Sequence, residues 1–461
     1  MITYTHCQPA VYPSKERIKS IAMMPRMSGR RSKVNWMMLF SRRRKILKKD
    51  LLVPLDDLTN EPLDVDSKDP VSVNPTLLFT RLAAIAEREE NVEQFFDYEL
   101  NHQALSLFKN GLMRKPDKAA LKKSLLPEKD ATTMNVAQMQ HVLDGGALLH
   151  RVPWSKGTRF DEVAKAYESY VRRHYGKARI VFDGYEDPMS IKASEHIRRP
   201  SKGSSRNINV IPDNNVPYSK ERFLSNNHNK SQLIDLLKRS FQAEGHTVKV
   251  CRGDADALIV KDALECAERK DVVVVADDTD VAVMLLYHWK ENLHDIYLLQ
   301  ENTGKCWSIK QSSNKIKDIK DHLLFIHAWS GCDSTSAIYN KGKTSFLNLV
   351  RKSKKMQSAA EMTQYLDRKI EDRRSLISIF VDFYTKYKQM LSDGWIEPEK
   401  LPPSERSAYY HGLRVYLQIM QWLLMDEDDT TFKPIEWGWN QSVGYLKPAK
   451  ANGNRQTGSS T

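Results

Sequence analysis

The chain has 461 residues, enough for roughly two or three domains, and its 41% apolar and 28% charged residues suit packed cores rather than a disordered polyelectrolyte. Its net charge is +13, from 71 Lys and Arg against 58 Asp and Glu, yet the first fifty residues alone hold 13 basic and 2 acidic side chains. The other 411 residues are therefore almost balanced, at +2, which excludes a uniformly basic body built to wrap a polyanion.

The five cysteines, Cys7, Cys251, Cys266, Cys306 and Cys332, are odd in number and scattered, with no CxxC pair. They argue against a disulfide framework and a zinc finger, and for a reducing compartment. No apolar run approaches the roughly 18 residues of a membrane span, and the opening MITYTHCQPAVYPSKERIK lacks a signal-peptide core, so an intracellular protein with no membrane partner is expected.

Residues 1–60, with Arg42-Arg43-Arg44-Lys45 and Lys48-Lys49, read as a basic tail without sustained periodicity. Such a tail suits nuclear localisation or phosphate contact, or is only a solvated charge run. Residues 61–135 read as a mostly helical segment broken at Pro116 and Pro127, with no chemistry assigned. From residue 136 strand and helix patterns alternate. A strand at Met139–Leu143 runs into Asp144-Gly145-Gly146; a helix at Phe160–Tyr175 and a strand at Ala178–Phe182 follow. A polar, Pro-interrupted insertion spans 185–230. Beyond it come a helix ending at Gly245, a strand at Thr247–Cys251, a helix at Asp254–Arg269 and the strand Val272–Val275. Four consecutive valines suit a strand buried on both faces of a parallel sheet. Ile296–Leu299 and Cys306–Ile309 flank an Asn302-Thr303-Gly304 turn and read as a hairpin, and Ile316–Trp329 as a helix. Residues 351–430 read as helical, with Leu413, Tyr416, Met420 and Leu424 on one face; 431–461 read as an irregular tail, disordered from Gly453. The expected fold class is α/β, with a parallel sheet.

Asp144, Asp183, Asp254 with Asp256, and Asp278 with Asp280 stand at strand ends or a helix start, and Asp333 follows a helix. The carboxyl ends of strands in an open parallel sheet converge on one crevice, so these carboxylates come together although far apart in sequence. Their repulsion calls for a divalent cation, and an all-oxygen donor set selects Mg²⁺ or Mn²⁺ over zinc. Each position also has a plain structural reading. Asp144 and Asp183, each before a glycine, suit turns, and Asp254 and Asp256 suit a helix N-terminus. Asp278-Thr279-Asp280 beside a buried strand is harder to explain without a bound cation.

VFDGYEDPMSIKASEHIRR (181–199), GDADAL (253–258), VVVVADDTDVAVML (272–285) and SGCDSTSAIYNKGKTS (330–345) follow one another in an order that resembles the flap endonuclease/XPG group of PIN-like nucleases, and HVLDGGALL (141–149) is similar to that family's first acidic strand. The resemblance implies a PIN-like nuclease core over 136–350 with an arch-like insertion at 185–230 and a helix-hairpin-helix-like element. It implies metal ligands at Asp144, Asp183, Asp254, Asp256, Asp278, Asp280 and Asp333, holding two Mg²⁺ or Mn²⁺ ions, with Asp256 and Asp278 as bridging candidates. Catalysis would fall to Asp183, Asp256 and Asp278, with Lys192 and Arg199 as arch cations steering the scissile phosphate. Nucleic-acid contacts would come from Lys192, Arg198, Arg199, Asn340, Lys341, Gly342 and Lys343. The implied activity is structure-specific phosphodiester hydrolysis, with DNA placed ahead of RNA as substrate, in the nucleus. Two departures stand out. About 135 residues precede the first acidic strand, and Asn340 occupies the first of two turn positions where glycine lets backbone N–H groups approach phosphate.

Two other readings compete. A haloacid-dehalogenase-type phosphatase shares a strand followed by DxDx[TV], but Ala282 occupies the Thr/Val position and Asp254, Asp256 and Asp333 are left unexplained. A PIN-like protein that binds nucleic acid without cleaving it fits the altered hairpin and the long N-terminal extension.

Overall fold

The computed structural model describes residues 103–133, 139–185, 191, 205–251, 255–365, 398–400, 403–424, 432–442 and 445–450. Those between 113 and 365, with those between 409 and 449, form one compact unit; those in 103–112, 398–400 and 403–408, with Lys450, belong to a second. The basic tail, most of segment 61–135, the arch cations Lys192, Arg198 and Arg199, and Asp254 lie outside the described residues.

The centre of the first unit is a six-stranded sheet: β1 (Gln140–Asp144), β2 (Ala178–Phe182), β3 (Thr247–Val250), β4 (Val272–Val275), β5 (Ile296–Gln300) and β6 (Lys305–Ser308), in the order β3-β2-β1-β4-β5-β6. Pairing is parallel from β3 through β5; β6 returns antiparallel to β5 in the expected hairpin, with Leu299 opposite Cys306. All four valines of β4 are buried because the sheet is covered on both faces. On one face Leu143, Ile180, Phe182, Val273 and Val275 pack against α2 (Gly145–Arg151), α3 (Phe160–Tyr175) and α5 (Asn227–Ala243). The other receives α6 (Ala255–Ala267), which packs on β1 and β4 and against α7 (Thr279–His288). Buried Asp262 ties α6 to the sheet through two 3.1 Å bonds from Arg179 and a 2.8 Å contact with Lys249. This α/β architecture, a mostly parallel sheet between helical layers, is the fold class expected from the sequence.

Insertion 185–230 contains a short helix, α4 (Lys220–Leu224), and the start of α5. Ahead of β1, α1 (Lys118–Leu125) opens on Asp117, whose carboxylate accepts from the Ala120 N–H. After α8 (Ile309–Lys315) the expected helix Ile316–Trp329 is shorter: a 3₁₀ turn at Lys320–His322 leads into α9 (Leu323–Trp329). Ile316 and Ile319 in the intervening segment are both buried. α10 (Lys343–Lys352), α11 (Lys354–Tyr365) and α12 (Glu405–Leu424) follow. The region from 431 is not wholly irregular. β7 (Trp439–Ser442) and β8 (Tyr445–Pro448) form an antiparallel hairpin, anchored where buried Arg414 donates to the Gly438 and Ala449 carbonyls at 2.9 and 3.3 Å. Among its described residues only Trp439 and Leu446 are fully buried, too few to leave a period in the sequence.

Candidate metal centre

The strand order reverses between β1 and β4, so chains leaving their carboxyl ends diverge and open a crevice. Asp144 ends β1 and caps α2, accepting from the Ala147 N–H at 3.1 Å. Asp183 follows β2; its carboxylate accepts from the Ala255 N–H at the start of α6, at 2.9 Å, and from the Tyr185 hydroxyl at 3.2 Å. Both border Gly146, where a Cβ would lie 3.1 Å from an Asp144 oxygen and 3.3 Å from an Asp183 oxygen. At Gly145 a Cβ would lie 2.6 Å from the Val181 carbonyl oxygen and against the Phe182 ring, so α2 reaches β2 only because this residue has no side chain.

Asp256, Asp278 and Asp280 form the heart of the crevice: one carboxylate oxygen from each lies within 4.8 Å of the other two. Asp256 projects from the first turn of α6; Asp278 caps α7, accepting from the Asp280 N–H at 3.0 Å. Neighbouring Asp277 is drawn aside by Arg151, which lies 3.4 Å from it and 2.7 Å from Glu301. Two consecutive aspartates thus take different roles.

The buried carboxylate of Asp280 accepts from His327 at 2.7 Å. On the far side of that ring, Lys343 lies 2.8 Å from Nδ1 and 3.0 Å from the His327 carbonyl. A lysine can only donate, so Nδ1 carries the lone pair and Nε2 the proton given to Asp280. Burial, reinforced by Lys343, pushes the His327 pKa down to about 4, which agrees with a neutral ring. Trp422 stacks on it at 5.2 Å.

Lys118, from α1, enters the crevice from the front. Its Nζ lies 3.0 Å from Asp280, 2.9 Å from Asp333 and 4.0 Å from Asp278. Burial works to lower its pKa, but Asp280, Asp278 and Asp333 outweigh that and hold the ammonium above the ordinary lysine range. The aspartates respond differently. Burial and then Asp280 push half-buried Asp278 up to about 6, against the pull of Lys118. Burial acts the same way on Asp280, but His327 and Lys118 prevail and hold it below the usual carboxylate range.

A hard divalent cation fits this donor set. The clustered ligands are carboxylate oxygens only, and three of them within 4.8 Å of one another repel unless a cation sits among them. Of the seven expected ligands, Asp256, Asp278 and Asp280 share one cluster, Asp144 and Asp183 share the wall at Gly146, and Asp333 reaches Asp280 through Lys118. Sequence reasoning missed Lys118 and His327. The first lies 160 to 215 residues before its partners, and the second is one histidine in an apolar helix, so neither left a signal.

The turn after α9 differs in detail from the expectation. The Lys341 N–H donates to the Ile338 carbonyl at 3.0 Å, and Asn340 takes a positive φ of 52°, as its side chain allows. Gly342 has φ −70° and open space around a would-be Cβ, so it is not the strained position. That position is Gly331, at φ +103°, where a Cβ would lie 2.7 Å from the Ala337 nitrogen. Lys341 is exposed. Lys343, expected to touch nucleic acid, is instead 2% exposed and committed to His327 and Ser330, because α10 turns it inward at its first residue.

No family model matches the sequence, and no curated protein does. Among solved structures, the catalytic core of Rad2 in complex with DNA substrate is 13% identical, covering 66% of this chain and 92% of its own, with a TM-score of 0.35. The bacteriophage T5 flap endonuclease, in a pseudo-enzyme–product complex with DNA and metal ions, is 11% identical over 62% of this chain and 99% of its own, TM-score 0.32. T5 5′-exonuclease with bound zinc is 11% identical over 62% of this chain and 94% of its own, TM-score 0.34.

Proposed function

We propose that this chain is a divalent-metal-dependent phosphodiesterase that cleaves nucleic acid, DNA ahead of RNA, in a structure-dependent manner. One observation carries the reading: Asp256, Asp278 and Asp280, separated in sequence, meet within 4.8 Å where the strand order reverses. When bound, a hard divalent cation supplies charge stabilisation to an in-line phosphodiester displacement and makes the attacking water easier to deprotonate. Asp256, Asp278 and Asp280 would hold it, with Asp144 and Asp183 lining the same crevice. His327 orients Asp280 from behind, and Lys118 brings positive charge to the front, where the phosphate of a substrate would approach. Lys192, Arg198 and Arg199 would add cations from the insertion; Asn340, Lys341 and Gly342 would present a turn to backbone phosphate. The basic tail suits nuclear delivery and phosphate contact.

The test is a panel of flap, nicked, hairpin and single-stranded DNA and RNA substrates in Mg²⁺ or Mn²⁺, with EDTA and Asp278→Asn as controls. Metal-dependent cleavage that the substitution removes supports the reading. Binding without cleavage under every condition supports the second reading, a PIN-like protein that binds only. The ammonium of Lys118 inside the carboxylate cluster favours that alternative.

A further inference from the structure

The fixed position of Lys118 bears on how many metal ions this centre accepts. Its single positive charge lies within 3.0 Å of Asp280 and Asp333 and 4.0 Å of Asp278, among carboxylates from two parts of the chain. We propose that Lys118 is a resident cation on the Asp280 and Asp333 side of the crevice, so that the crevice takes one divalent ion, held by Asp256, Asp278 and Asp280. This rests on the metal-dependent reading above and refines it.

An ammonium in an acidic crevice could equally belong to a lid that withdraws when metal arrives. The surroundings of α1 argue for residence. Leu121, Leu125 and Leu126 are buried at 0%, 3% and 3% exposure. Lys122 donates to the Asp277 carbonyl at 2.8 Å, next to the cluster itself. Upstream, the Arg114 carbonyl accepts from the Ala337 N–H at 2.8 Å; downstream, the indole of Trp307 donates to the Pro127 carbonyl at 3.0 Å. Thr132 and Cys306 exchange backbone bonds at 2.8 and 3.0 Å, extending the sheet by one residue. Withdrawing Lys118 would break these contacts together, or require its four-carbon stem to swing away from three carboxylates. A second ion would have to displace a tethered charge that cannot diffuse away, and the tether gives the lysine a standing concentration advantage.

The residence has a chemical consequence. An ammonium neutralises developing negative charge on a phosphate but lacks the Lewis acidity of a divalent ion. The N-terminal extension, which carries no recognisable chemistry in sequence, thereby becomes part of the centre.

The experiment counts ions on the full chain without nucleic acid, using Mn²⁺ titration followed by electron paramagnetic resonance and calorimetry. Wild type should bind one Mn²⁺ tightly per chain. Lys118→Ala should bind two, with the first ion held at least about tenfold more tightly, within the usual range of coupling between sites. Lys118→Arg should return to one, an outcome that a purely structural role would not produce. Thermal melts check folding. Should Lys118→Ala not fold, Lys118→Met keeps the apolar stem and takes its place.

Two tight ions in wild type would overturn the proposal whatever the variants do. One ion at unchanged affinity in both Lys118→Ala and Lys118→Met would also overturn it. Neither result touches the nuclease reading, which stands or falls on cleavage; absence of Mn²⁺ binding in wild type and every variant would remove both.

Discussion

His327 sets Asp280: the Nε2–H of a neutral, buried imidazole is given to one carboxylate oxygen at 2.7 Å, and the ring is locked in that tautomer by Lys343 at 2.8 Å. Oriented ligands of this kind hold metal better than free ones. His327→Phe should weaken Mn²⁺ affinity about 10- to 100-fold, in line with other supporting residues at metal centres. It should also destabilise the fold by about 2–4 kcal/mol, since it leaves Asp280 and Lys343 buried without this partner. Calorimetric Mn²⁺ titration and urea unfolding read the two effects separately. A variant with wild-type metal affinity would show that Asp280 needs no help to orient.

Asp278→Asn should abolish cleavage while leaving substrate affinity within a few-fold. It removes a ligand from the three-carboxylate cluster, yet the capping oxygen that accepts from the Asp280 N–H survives in the amide. Single-turnover cleavage and fluorescence anisotropy make the comparison. Wild-type cleavage in Mg²⁺ would remove Asp278 from the centre.

Two glycines should respond in opposite ways. Gly145→Ala drives a methyl into the Phe182 ring and the Val181 carbonyl, and should lower stability by at least about 1–3 kcal/mol, the usual range for overpacking. Gly342→Ala meets open space at φ −70° and should melt within a degree or two of wild type, in keeping with a strain-free exposed change. Any loss on substrates with a duplex arm, but not on single strands, would then report backbone approach to phosphate. Equal losses on both would exclude the turn as a duplex grip.

Stability should fall with acid through His411. The ring is fully buried, its Nε2 donates to the Trp329 carbonyl at 3.2 Å, and burial, aided by Arg414, pushes its pKa down to about 3. A histidine depressed on folding contributes stability that is complete above the unfolded value near 6.5 and is lost as pH falls towards the folded one. From pH 7 to pH 5 the loss is about 2 kcal/mol. His327, also held neutral, acts in the same direction. Calorimetric melts should show a smaller drop in Tm between those pH values for His411→Gln than for wild type. Equal drops would place the acid sensitivity elsewhere.

The sheet was legible because its signals are local. Val272–Val275 is wholly β-branched and Ala178–Phe182 mostly apolar, both of strand length, and Phe160–Tyr175 repeats its apolar residues at helical spacing, so their bounds agree with the structure. The cluster was legible for a different reason: parallel strands point their carboxyl ends one way, so aspartates there converge without any contact having to be foreseen. Side-chain partnerships carry no such regularity. Lys118 looks like any exposed helical lysine, and Lys343 sits in a basic turn whose composition suggests phosphate contact; only the angle of α10 sends it inward. The C-terminal hairpin escaped notice because its strands are four residues long and its order depends on Arg414, 25 residues earlier.

The bridge between Thr132 and Cys306 has a practical side. β6 is the outermost strand, and an outermost strand offers unpaired N–H and C=O groups to any other chain with one to match. Here the incoming segment at Thr132 satisfies part of that edge, and the Trp307 indole beside it finds its acceptor in Pro127. A fragment trimmed to 136–350 would lose both, and would expose the apolar surface now covered by Leu121, Leu125 and Leu126. Such a fragment would be sticky, prone to pair edge to edge and to precipitate on expression, however complete its row of aspartates.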